Sequence, residues 1–189
     1  CLAWRPPPGA HQQLERAYGL EITKRVHTSA DRYQTPWWLF NRHAETIYPS
    51  LLRKVTLAPY HRERIATPDD DFLDLDWIRN QSEKLVILSH GLEGNSTRPY
   101  IKGMARAFSA AGYDVLAWNY RGCSEEMNRQ TRFYHSGATD DLHTVVQHAL
   151  RKGYPNICLV GFSLGGNLTL KYLGEQAATL PKAVRGAVA

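Results

Sequence analysis

The sequence predicts an α/β fold, a mostly parallel sheet flanked by helices, with an antiparallel hairpin ahead of it. Three observations carry this. From Leu85 onward, apolar runs of strand length alternate with segments of helical period. Gly112 and Gly153 stand where two of those helical segments stop. The stretch Ile157–Leu168, I-C-L-V-G-F-S-L-G-G-N-L, reads as a strand, a sharp turn and a helix around one serine. Strands alternating with helices in this way lie parallel and are joined by right-handed crossovers.

Each element has its own signal. Residues 1–32 read as an extension of uncertain structure; Pro6-Pro7-Pro8-Gly9 is a breaker and Gln12–Tyr18 has the pattern of a short helix. Residues 33–189 read as one domain. Within Tyr33–Leu52, Trp37, Trp38, Leu39, Phe40, Ile47 and Tyr48 are too apolar to leave in water, so this segment is expected to cover the main domain. Arg62–Thr67 and Phe72–Ile78 form a hairpin around Pro68-Asp69-Asp70-Asp71, an acidic turn expected to be solvated. Leu73, Leu75 and Trp77 alternate with Phe72, Asp74 and Asp76, giving that strand one apolar face. Leu85–Leu88 is a buried strand. Ile101, Met104, Phe108 and Ala111 recur at helical spacing, and Val115–Trp118 is the next strand. Asp140–Leu150 is a second helix, Gly166–Leu173 a third, and Ala183–Ala189 begins a further strand.

Composition narrows the class. At 189 residues, 43% hydrophobic and 22% charged, the chain is ordinary for a globular protein with one core. Three cysteines, Cys1, Cys123 and Cys158, are too few and too scattered for a disulfide framework or a metal knuckle, and they suit a reducing, cytoplasmic setting. No apolar run approaches a membrane span, and no signal peptide is visible. The net charge of +5 comes entirely from residues 1–66, with ten Lys and Arg against five Asp and Glu; the remainder holds thirteen of each. There is no run of adjacent basic residues and no RNA-binding signature, so nucleic acid is not an expected partner, while a weak contact with a membrane surface stays open.

The chemistry concentrates at the carboxyl ends of the strands, where ligands bind in such sheets. Gly161-Phe162-Ser163-Leu164-Gly165 is a G-x-S-x-G turn. A chance match is expected roughly once in twenty chains of this size, so the strand before it and the helix after it are what favour catalysis. Ser163 is the candidate nucleophile for attack on a carbonyl carbon, giving an acyl-enzyme. Gly161 and Gly165 flank it because a side chain at either place would collide with its neighbours. The Leu164 N–H is one candidate oxyanion donor, and the Leu92 N–H, in the loop His90-Gly91-Leu92 after the earlier strand, is the other. Gly91 is expected to allow a tight turn there, and His90 to brace the loop rather than act as base. Downstream of Ser163 the only acid is Glu175 and there is no histidine. The chain is therefore expected to be incomplete, with its C-terminal strands, triad acid and base missing, and Cys1 in place of Met fits a fragment. His135 is the best upstream substitute for the base.

At this point the sequence resembles the α/β-hydrolase superfamily, and within it the YheT-like esterases, relatives of the mammalian ABHD-type lipases and the yeast medium-chain ethyl-ester acyltransferases. The resemblance runs through Pro36-Trp37-Trp38-Leu39 to Thr46-Ile47-Tyr48-Pro49, Asp71–Trp77 and His90-Gly91-Leu92-Glu93-Gly94. It continues in Asn119–Ser124, Tyr134-His135-Ser136-Gly137 and Gly161–Asn167, so it covers Tyr33 to the end. Glu45 stands where the family tends to have Gln, and Ala138 where it tends to have an acid. The resemblance implies an α/β-hydrolase fold and hydrolysis of a small-molecule carboxylic ester with a short or medium acyl chain, or a lipid-like one. It implies no metal and no organic cofactor. Two alternatives remain: an alcohol O-acyltransferase on the same scaffold, and a catalytically inactive fragment or binding scaffold.

Overall fold

The computed structural model describes residues 35–39 and 41–189, without the side chains of residues 49–51. The suggested helix at Gln12–Tyr18, with the rest of residues 1–32, lies outside the described residues. The chain divides between Thr46 and Ile47 into two units, and the second carries the sheet.

Six strands form that sheet: β1 (His61–Ala66), β2 (Phe72–Ile78), β3 (Lys84–Ser89), β4 (Asp114–Asn119), β5 (Asn156–Gly161) and β6 (Val184–Val188). Helix α1 spans Arg42–Leu51, α2 Pro99–Ala110, α3 Thr139–Arg151 and α4 Leu164–Glu175. The strand order is β1-β2-β4-β3-β5-β6. The hairpin pairs antiparallel and adds to β4 antiparallel, while β4, β3, β5 and β6 run parallel. This is the mostly parallel sheet with a leading hairpin that the periodicity predicts.

The pleat sorts the core into two layers. Leu85 and Ile87 of β3 join Leu73, Leu75 and Trp77 of β2, Leu116 and Trp118 of β4 and the apolar stripe of α3, Leu142, Val145, Val146 and Ala149. Leu168 and Tyr172 of α4 close the same layer. Val86 and Leu88 point the other way and meet Ile101 and Ala105 of α2. Both faces are covered, which is why β3 reads as an uninterrupted apolar run.

Three expectations change. Asp74 and Asp76, on the polar side of β2, are buried as well. Directly across the hairpin, Arg64 bonds Asp74 at 2.8 and 2.9 Å and Arg62 bonds Asp76 at 2.8 and 2.9 Å, so the charges are paired rather than solvated. The acidic turn is not solvated either: Asp71 is 2% exposed, and Asp69 and Asp71 bond Arg121, leaving Asp70 outermost. Trp37, expected to be covered, is 91% exposed. Among the described residues, no helix is long and apolar enough to cross a membrane.

Candidate active site

Ser163 sits between the end of β5 and the first residue of α4, which starts at Leu164, two residues earlier than its period suggests. Its backbone has φ +53° and ψ −113°, a conformation that L side chains adopt only under strain. The strain holds because the surroundings leave no alternative. A Cβ on Gly165 would lie 2.4 Å from Ser89 O and 2.6 Å from His90 O, and one on Gly161 would lie 2.2 Å from Gly165 O. All three are main-chain atoms, so the elbow presses directly on the end of β3. Phe162 N–H donates to Ser89 O at 3.0 Å and Gly165 N–H to Phe162 O at 2.9 Å, fixing the turn from both sides. Gly165→Ala is expected to lower stability by the upper end of about 1–3 kcal/mol, the cost of overpacking; a denaturation midpoint within error of wild type would contradict the close approach.

The loop after β3 lies against this elbow. A Cβ on Gly91 would be 3.4 Å from Ser163 Cβ and 3.4 Å from Phe162 O. Gly94 N–H donates to Gly91 O at 3.1 Å, closing a turn whose positive φ falls on Glu93, at +50°, and not on Gly91. Three tyrosines from three different segments tie the loop down. Gly91 N–H donates to Tyr100 Oη at 2.9 Å, Glu93 N–H donates to Tyr134 Oη at 2.9 Å, and Tyr120 Oη donates to His90 O at 2.7 Å. Of the four amides from Gly91 to Gly94, three are thereby bonded, and Leu92 N–H has no acceptor among the described residues. Leu164 N–H heads α4, where first-turn donors have no intrahelical partner. Two amides are thus left without an acceptor among the described residues, Leu92 N–H in the loop that meets the elbow and Leu164 N–H next to Ser163. Ser163 itself is exposed, Leu92 is 68% exposed and Leu164 half-buried.

His90 is buried, and both of its ring nitrogens are engaged, one within the loop and one by the residue after β4. Nδ1 lies 2.7 Å from Gly91 O, and Nε2 accepts the Tyr120 N–H at 3.3 Å, so the ring is neutral with its proton on Nδ1. Burial pushes the imidazole down to about 4, the Arg98 charge acts in the same direction, and the Gly91 bond only partly opposes them. The unfolded chain, titrating near 6.5, binds the proton that the folded chain refuses. The stabilisation is therefore complete above pH 6.5 and is lost as pH falls from 6.5 towards 4, at most about 3 kcal/mol from this group. Urea unfolding across that window is expected to show a steeper fall for wild type than for His90→Gln; parallel curves would contradict it.

No described histidine bonds Ser163 Oγ. His135 Nδ1 accepts the Gly137 N–H at 3.1 Å, and Glu175 bonds Thr139 Oγ1 at 2.5 Å and Lys171. Arg121, at the carboxyl end of β4, is 2% exposed and belongs to an ion network with Asp69, Asp71 and Asp141 instead of facing the serine. Sequence reading missed the three tyrosines. Tyr120 and Tyr134 stand in motifs that carry the resemblance, but nothing local says which amide each hydroxyl serves.

A family model for the alpha/beta hydrolase fold matches residues 84–189. The chain belongs to the α/β-hydrolase family. Among relatives of this α/β-hydrolase, YheT of Escherichia coli, an esterase by name, is 37% identical over 75% of the chain and 43% of that protein. Bovine phospholipase ABHD3 is 30% identical over 80% of the chain and 39% of its own length. The chain spans about two fifths of the length of these curated relatives. A solved Pyrococcus furiosus esterase, Pf2001, superimposes with a TM-score of 0.56 at 24% identity, covering 72% of this chain and 56% of that one, and this likeness speaks for the fold.

Proposed function

We propose that this α/β-hydrolase is a serine hydrolase of carboxylic esters with short or medium, or lipid-like, acyl chains. The observation that carries the reading is the strained φ of +53° at Ser163, held where the post-β3 loop leaves an amide unpaired beside it. Strain of this kind clusters at functional sites, where the surrounding structure holds it in place. Relatives named as an esterase and a phospholipase support the same class of reaction.

Ser163 Oγ attacks the ester carbonyl carbon, and the carbonyl oxygen takes up negative charge between the Leu92 and Leu164 amides. Collapse of the tetrahedral intermediate breaks the bond to the alcohol, which leaves with a proton, and the acyl group stays on Ser163 until water removes it. The proton passes to a general base, and among the described residues no hydrogen bond to Ser163 Oγ marks which group that is. No step calls for a metal or an organic cofactor. A cytoplasmic setting suits the two described cysteines, Cys123 and Cys158, both free thiols.

The acyl-enzyme is directly testable. Brief reaction of the complete protein with p-nitrophenyl butyrate, acid quench and peptide mapping is expected to find the butyryl group on Ser163. Turnover with acylation at another residue, or with none, overturns the assignment.

A further inference from the structure

Beside the loop after β3 lies an open cleft of about 540 Å³ that the chemical step leaves unused. Leu92, Glu93, Asn95, Cys123, Phe133 and Tyr134 are among the residues that line it. The geometry points to Glu93 as the residue that sets the charge of the ester this cleft accepts, cationic ahead of neutral and neutral ahead of anionic. This deepens the proposed function and rests on its placement of Ser163 and Leu92: the lining includes the residue whose amide would hold the oxyanion, one position beyond a glycine on which a Cβ would lie 3.4 Å from Ser163 Cβ.

Glu93 is held where it stands. It occupies the third position of the Gly91–Gly94 turn with φ +50°, a place that suits Gly or Asn and strains a residue with a longer side chain. Its N–H is taken by Tyr134 Oη and its carbonyl oxygen accepts Arg98 Nη2 at 2.8 Å, so the backbone that aims the side chain is fixed at both ends. Its carboxylate makes no ion pair with any described residue. Burial chiefly raises the Cys123 thiol and the Tyr134 hydroxyl above their ordinary values; the bond between Tyr134 and Cys123 opposes this for Cys123 and the Glu93 N–H bond opposes it for Tyr134, and the Glu93 charge makes a smaller upward contribution to each.

The rest of the cleft lining adds no positive charge, since it contains no Lys or Arg. In the adjoining hollow of about 140 Å³, which shares Asn95, Cys123 and Ser124, Arg62 is already bonded twice to Asp76 and Glu125 adds a second negative group. Arg98 serves the main chain of Glu93 and is not part of the cleft wall. Phe133, in the same lining, is 69% exposed, and with Tyr134 it offers aromatic surface that attracts a cation and tolerates an alkyl group. An anionic group would meet like charge with no cation in the lining to receive it.

Three butyrate esters of matched shape test this on the complete protein: the 2-(trimethylammonio)ethyl, the 3,3-dimethylbutyl and the 2-sulfoethyl ester. In wild type, kcat/KM is expected to fall in that order. Glu93→Gln is expected to shrink the cationic-to-anionic ratio about fivefold, the worth of one unit charge across a solvated cleft, and roughly 0.5 M salt should shrink it similarly in wild type by screening. Glu93→Gly, which also relieves the φ strain, should match Glu93→Gln and guards against a folding defect. The same esters bound to Ser163→Ala, with dissociation constants from saturation-transfer NMR, read the preference without turnover. Charge-ordered binding that Glu93→Gln flattens, with no hydrolysis by wild type, would remove the esterase reading and keep this one. Hydrolysis or binding indifferent to charge, or to residue 93, overturns the role of Glu93, as does a failure of all three esters to bind.

Discussion

Ser163→Ala is expected to reduce ester turnover by about 10⁴-fold or more, the scale seen when a serine nucleophile is removed. The protein should remain folded, because the lost hydroxyl makes no hydrogen bond to any described residue. A second variant separates chemistry from packing. Alanine inherits the strain of φ +53°, whereas glycine does not. Ser163→Gly is therefore expected to be as inactive as Ser163→Ala yet more stable by about 1 kcal/mol, after the larger entropy of unfolded glycine is subtracted. Turnover and urea midpoints on the three proteins check both halves. Undiminished turnover in either variant would place the nucleophile elsewhere, and equal stability of the two would show that the elbow stores no strain.

Arg121→Met is expected to cost about 3–5 kcal/mol of stability, the penalty for breaking a buried ion network by removing one partner. Arg121 bonds Asp141 at 2.8 and 2.9 Å, Asp69 at 2.8 and 3.0 Å and Asp71 at 3.1 Å. One side chain thereby ties the hairpin turn, the exit from β4 and the first turn of α3 together. Hydrogen bonds from Arg121 hold the Asp69 carboxyl down at about 2. Burial pushes Asp71 upward, but bonds from Asn128 and from the amides of Arg129, Phe72 and Gln130 outweigh it and leave it below its ordinary value. Without the guanidinium, Asp141 would stay buried with no hydrogen-bond partner for its carboxylate among the described residues, and Asp71 would keep only its neutral donors. The penalty should shrink as pH falls from 7 to 4, because the variant can then protonate its carboxylates, while wild type keeps Asp69 ionised until pH approaches 2. Arg121→Lys should recover little, since a single ammonium cannot bond three carboxylates in bidentate fashion. A cost below about 1 kcal/mol, the worth of an exposed pair, would mean that the network does not hold these segments.

The sequence by itself determined the elements and the strained turn. Leu85–Leu88 lies in a strand covered on both faces, and the helical stripe of α3 is the one that α3 buries, because side-chain periodicity and burial are two views of the same local geometry. Gly161 and Gly165 were legible for a similar reason: a serine lifted out of a strand-to-helix turn needs neighbours without side chains, and the colliding atoms include the turn's own backbone. Only the tertiary structure decided which amides stay unpaired, what Arg121 serves and where the hairpin aspartates end up. Leu92 N–H is left over because Tyr100 and Tyr134, distant in sequence, take its neighbours. Asp71 is buried because Arg121, fifty residues later, meets it there. Periodicity reports which face of an element turns inward, but hydrogen-bond partners are chosen by whatever the fold brings within about 3 Å, and that depends on every element at once.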